Sequence, residues 1–150
     1  MSKRFGIIVG VDGSGHSQRA LEWAMNEAAV RQATLTVLAV DPVAISAWTG
    51  APIRSEADEP GREQARQAAE AAADKAAGQL GGEARPASVT VSAVSGNAAE
   101  ELINASRGAD LVVVGSRGAG GFARLALGST SSHVVHHAHC PVVTVPHEQR

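Results

Sequence analysis

The chain has a single cysteine, Cys140, in 150 residues. No internal disulfide can form, and a reducing compartment fits. No stretch approaches the roughly 18 apolar residues of a membrane-spanning helix. There is no Lys/Arg run either: 13 basic residues stand against 15 acidic ones, for a formal net charge of -2. That balance argues against a nucleic-acid or anionic-membrane binder, which would show a basic face. The opening "MSKRFGIIVGVDGSG" carries a basic pair, but its apolar stretch is too short for a signal sequence and is broken by Gly10 and Asp12. The expectation is a cytoplasmic protein. A phosphate-reaching lysine is missing as well. The nearest approach to G-x-x-x-x-G-K-[ST] is "GVDGSGHS" (Gly10 to Ser17), where His16 stands in the lysine position, which rejects a P-loop ATPase.

What the chain does have is order. Five short runs rich in Val and Ile read as strands: "GIIVGV" (Gly6 to Val11), "TLTVLAV" (Thr34 to Val40), "ASVTVSAV" (Ala87 to Val94), "LVVVG" (Leu111 to Gly115) and "PVVTV" (Pro141 to Val145). Helical patterns separate them. Leu21, Ala24, Met25 and Ala28 form a stripe that Ser17 can cap, and Ala65, Ala68, Ala69, Ala72 and Ala76 form a second, ended by Gly78. Asn97 with Glu100 reads as a capping box for a third helix. Ser129 opens a fourth, with Val134, Val135 and Ala138 facing inward and Pro141 ending it. Strands alternating with helices imply an α/β domain over residues 1–150, a doubly wound five-stranded parallel sheet of order 3-2-1-4-5 with helices on both faces. Asp41 to Gly61 is long, mixed and proline-bearing, and reads as a flexible loop, either a lid or a plain insertion.

In such a sheet, ligands sit beyond the carboxyl ends of the strands where the chain order reverses, here between the first and fourth strands. "VDGSG" (Val11 to Gly15) follows the first, and "GSRGAGGFARLALGST" (Gly115 to Thr130) follows the fourth. The second segment holds five glycines in sixteen residues and leads into a helix bearing Ser129, Thr130 and Ser131. A glycine-rich loop ending at a helix N-terminus offers backbone N–H groups and a positive dipole end to an anion, most often phosphate. The plainer reading is that Ser129 only caps its helix.

The spacing G-x2-G-x9-G-[ST], at Gly115, Gly118, Gly128 and Ser129, resembles the ATP-binding branch of the universal stress protein family. The likeness runs from "IIVGVDGS" through this motif to "HHAHCPVVTV". It implies a nucleotide-dependent regulator of the stress response, with ATP, with or without Mg²⁺, as its ligand. By position, the resemblance places Val11 among the ATP-binding residues, Asp12 near the adenosine or the metal, and Val40 at the adenine through its backbone. Gly115, Arg117 and Gly118 would wrap ribose and phosphates, and Gly128, Ser129, Thr130 and Ser131 would receive the phosphates. Ala119 stands where relatives often carry a basic residue, and His139 where many carry proline. The resemblance also suggests a homodimer built on the last strand, Val142, Val143, Thr144 and Val145, together with a regulatory protein partner. No catalytic residue is assigned. An ATP-using enzyme of the same layered class, a slow ATPase or an adenylate-transferring domain, is the alternative. His133 and His137 share a helix face, but the stretch lacks a full metal ligand set, and histidines at a helix C-terminus are favoured by the dipole alone.

Overall fold

The computed structural model describes residues 3–42, 48, 58–116 and 127–146. Among the described residues nine elements alternate: β1 (Gly6–Val11), α1 (Gly15–Arg31), β2 (Thr34–Pro42), α2 (Asp58–Gly78), β3 (Ser88–Gly96), α3 (Ala98–Ser106), β4 (Leu111–Gly115), α4 (Ser129–His137) and β5 (Val142–Val145). The strands form one parallel sheet in the order β3-β2-β1-β4-β5, the order expected from the sequence. Right-handed crossovers explain the layering. The chain first winds outward from β1 to β3, which puts α1 and α2 on one face. It then returns to lay β4 on the other side of β1, which puts α3 and α4 on the opposite face.

The period-2 alternation of the strands feeds two cores. Register aligns Val91, Val37, Val9, Val113 and Val143 in one row across all five strands. That row belongs to the α1/α2 face, where it packs with Leu21, Ala24, Met25 and Ala28 of α1 and with Ala69, Ala73 and Ala76 of α2. On the other face Leu38, Val112 and Val114 meet Ala99, Leu102 and Val134.

Four local expectations change. The cap of α1 is Ser14, not Ser17: the Ser14 side chain accepts from the Ser17 N–H at 3.2 Å. Ser17 is buried one turn further on, where its Oγ donates to the Ser14 carbonyl at 3.0 Å. In α2 the buried alanines are Ala69, Ala73 and Ala76, while Ala68 is exposed. In α4 only Ser131 and Val134, three residues apart, are buried, and Val135 is rotated outward to 42% exposure. The fourth concerns the Asp41 to Gly61 segment, which is shorter at both ends. Asp41 and Pro42 continue β2, and 58–61 form the first turn of α2. A lid formed by the intervening residues would lie outside the described residues, apart from position 48. The Asn97 cap is as expected, its Oδ1 accepting from the Glu100 N–H at 3.0 Å.

Candidate functional site

The turn after β1 is fixed by its own side chains. Asp12 Oδ1 accepts from the Ser14 N–H at 2.9 Å and from Ser14 Oγ at 2.5 Å. The Asp12 N–H in turn donates to Ser17 Oγ at 3.2 Å. Between Asp12 and Ser14 the chain passes through φ +83° at Gly13, a left-handed conformation that glycine adopts without steric cost. Ser14 is thus occupied as a turn and cap residue: its hydroxyl donates to Asp12 and accepts from Ser17.

Beside this turn lies a cleft of about 350 Å³ at the carboxyl ends of β1 and β2, near the lower end of the size range of small-molecule pockets. Val11, Asp12 and Val40, three of the expected site residues, line it. Gly13, Ser17, Gln18, Ala39, Asp41 and Pro42 join them, and Ala65, Ala68, Ala69 and Ala72 of α2 form its far wall. Gln18 is tied to that wall, its Nε2 donating to the Ala72 carbonyl at 3.3 Å. The β1–β2 ladder stops at Val11 opposite Ala39, whereas the β2–β3 ladder continues to Pro42 opposite Gly96. Residues 40–42 of β2 therefore border the cleft with a strand neighbour on one side only.

The junction of β4 with α4 lies across β1 from this cleft, at the carboxyl end of β4. Here Ser116 is the anchor. Its N–H donates to the Val145 carbonyl at 2.9 Å, and its own carbonyl accepts from the Gly128 N–H at 2.6 Å and from Ser131 Oγ at 3.0 Å. Ser131 Oγ also lies 3.2 Å from the Gly128 carbonyl. The N-cap of α4 is Gly128, in extended conformation with no side chain to close the helix end. The first N–H groups of a helix have no intrahelical partner, so this end presents donors and a positive dipole. Ser129 and Thr130 are exposed there, while Ser131 is buried with its hydroxyl turned inward. Gly115 is paired with Val145 in the sheet. Arg117 and Gly118, both expected at the site, lie outside the described residues.

Away from the crevice, a groove runs between Ala93 of β3 and the outer face of α2, lined by Glu59, Arg62, Glu63 and Arg66. Its charges satisfy one another: Arg66 bridges Glu63 and Glu70, and the Arg66 hydrogen bond lowers the Glu63 pKa. The rings of His133 and His137 stand 4.8 Å apart on the exposed side of α4. No group of three or more metal-ligating side chains occurs among the described residues. Burial, reinforced by Asp110, pushes the Cys140 thiol pKa up, which makes the group less reactive.

Residues 5–146 match the family model described as "Universal stress protein family". The chain belongs to this family. It is 39% identical over 141 residues to a universal stress protein of Mycolicibacterium smegmatis, covering 94% of this chain and 48% of that protein. A Mycobacterium tuberculosis universal stress protein is 37% identical over 155 residues, covering 97% of this chain and 49% of its own length. The chain thus spans about half the length of these curated relatives. Among solved structures, the universal stress protein UspA from Lactobacillus plantarum superposes with a TM-score of 0.69 at 26% identity, covering 97% of this chain and 99% of its own. A universal stress protein in complex with cAMP has a TM-score of 0.61 at 24% identity, covering 97% of this chain and 98% of its own. No helix among the described residues of this universal stress protein is long and apolar enough to cross a membrane.

Sequence reasoning missed the alanine wall, Asp41 and Ser116. The alanines read as a thin amphipathic face, and their second use becomes visible only once α2 is laid beside the strand ends. Asp41 was legible in principle: Val37, Ala39 and Asp41 alternate onto the α1/α2 face.

Proposed function

We propose that this protein binds ATP, with Mg²⁺ tolerated or required, and acts as a nucleotide-dependent regulator rather than a catalyst. The observation that carries the reading is the cleft at the ends of β1 and β2, with its alanine wall and the stretch of β2 that has β3 alone as a strand neighbour. Small side chains on α2 leave room for a planar heterocycle. The backbone of Val40, beyond the last β1 partner, supplies the donor and acceptor that read adenine. Val11 and Asp12 hold the sugar side, with Asp12 near any metal. The phosphates fall to Gly115, Arg117 and Gly118 and to the open N-terminus of α4 at Gly128, Ser129 and Thr130. Ser131 contributes by holding that N-terminus in place through Ser116. The universal stress protein in complex with cAMP supports the class of ligand at the level of shared fold.

A change of nucleotide occupancy at the crevice alters the surface offered to a regulatory protein partner in the cytoplasm. The alternative is an ATP-using enzyme, and Asp12 beside a bound nucleotide is the group that could position a water for slow hydrolysis. Titration calorimetry with MgATP and MgGTP tests the binding, with preference for ATP expected. Equal affinities, or no heat with either nucleotide, would sink the proposal. Turnover under saturating ATP would move the reading to the enzyme.

A further inference from the structure

We infer that Asp41 determines selectivity for a 6-aminopurine by accepting a hydrogen bond from the exocyclic amino group. This rests on the nucleotide reading above and adds a side chain to a recognition otherwise left to the backbone of Val40. Three observations converge on Asp41. It follows Val40 directly, in the part of β2 that has outrun β1. By strand alternation it shares the α1/α2 face with Val37 and Ala39, and it lines the cleft with Val40 and the alanine wall. Its carboxylate is also closely confined. A Cβ built on Gly61, in the first turn of α2, would lie 2.6 Å from Asp41 Oδ2. Glycine at that position therefore gives the carboxylate its place, and the positive end of the α2 dipole lies beside it.

The chemistry follows from the donor and acceptor inventory. An ionised carboxylate only accepts hydrogen bonds, and the adenine 6-amino group only donates. A charge-assisted bond of this kind in a partly closed cleft is worth roughly ten- to a hundredfold in affinity. A purely structural Asp41, one that merely steadies the start of α2, would affect every nucleotide alike.

The test compares ATP with purine riboside 5′-triphosphate, which lacks only the amino group, by titration calorimetry. The wild-type protein is expected to favour ATP by roughly ten- to a hundredfold. Asp41→Ala should shrink that ratio by about tenfold. Gly61→Ala should do the same while leaving Asp41 in the chain, because the added methyl must push the carboxylate aside. Alanine favours the helix, so a folding defect is not expected from that variant. If Asp41→Ala weakens both nucleotides equally, or leaves the ratio at its wild-type value, Asp41 is not the selector. A Gly61→Ala protein with the wild-type ratio would overturn the claim that contact with Gly61 sets the carboxylate. Wild-type protein that binds neither nucleotide would defeat the nucleotide reading itself, and this inference with it. Tight ATP binding with no discrimination in the wild type would defeat only the inference.

Discussion

The three hydroxyls at the start of α4 look alike in sequence and differ in the structure. Ser129 and Thr130 face solvent at the open helix end, whereas Ser131 is buried and donates to the Ser116 carbonyl. Their substitutions should separate accordingly. Ser129→Ala is expected to weaken ATP binding by roughly ten- to a hundredfold, the loss of one bond to a charged group, with little change in stability because the N-cap is Gly128. Gly128→Val, which places a branched side chain at the point of approach, should abolish binding. Ser131→Ala should instead cost about 0.5–1.5 kcal/mol of stability. Calorimetry beside urea unfolding checks all three. If Ser129→Ala and Gly128→Val bind ATP like the parent and only unfold earlier, the glycines serve backbone geometry alone.

At the scale of elements, the alternation of strands and helices and the sheet order were legible, because apolar periodicity and handedness leave few topologies open. The sequence pointed to the gap between β1 and β4, whereas the cleft lies at the ends of β1 and β2 against α2. Helix starts were less legible. "DGSGHS" offers two serines, and sequence alone does not say that Gly13 turns the chain early enough for Ser14 to take the cap. Ser14→Ala is therefore expected to cost about 1 kcal/mol, seen as a lower urea midpoint. An unchanged midpoint would contradict the assignment. Of the inward residues expected on α4, Val135 alone was misplaced, for a related reason: burial follows the Ser131–Val134 spacing, and a buried serine is invisible to a search for apolar stripes. Within the site, Val11, Asp12 and Val40 could be placed through the family resemblance, but Asp41 and the alanine wall depend on how α2 docks. That docking is a tertiary fact, not a local one.

For the whole molecule, β5 forms one edge of the sheet and brings Val142, Val143, Thr144 and Val145 to it. An apolar edge is a template for pairing with another chain, and we expect a homodimer through it. Light scattering at micromolar concentration should give twice the chain mass of 15.3 kDa. A monomer mass would rule the dimer out. The two cores carry a further consequence because they are unequal. Among the described residues, seventeen buried side chains cluster on the α1/α2 face and six on the α3/α4 face. With so little apolar area beneath it, the second half should open first in hydrogen exchange, well below the global unfolding free energy. The proposed ligand straddles the two, purine against the stronger half and phosphates against the weaker. Opening either half must then release it, so saturating ATP should slow exchange in α3 and α4 as well as in α1. In that sense the nucleotide would act as a splint, lending the thinner side of the sheet the cooperativity that its own packing cannot supply.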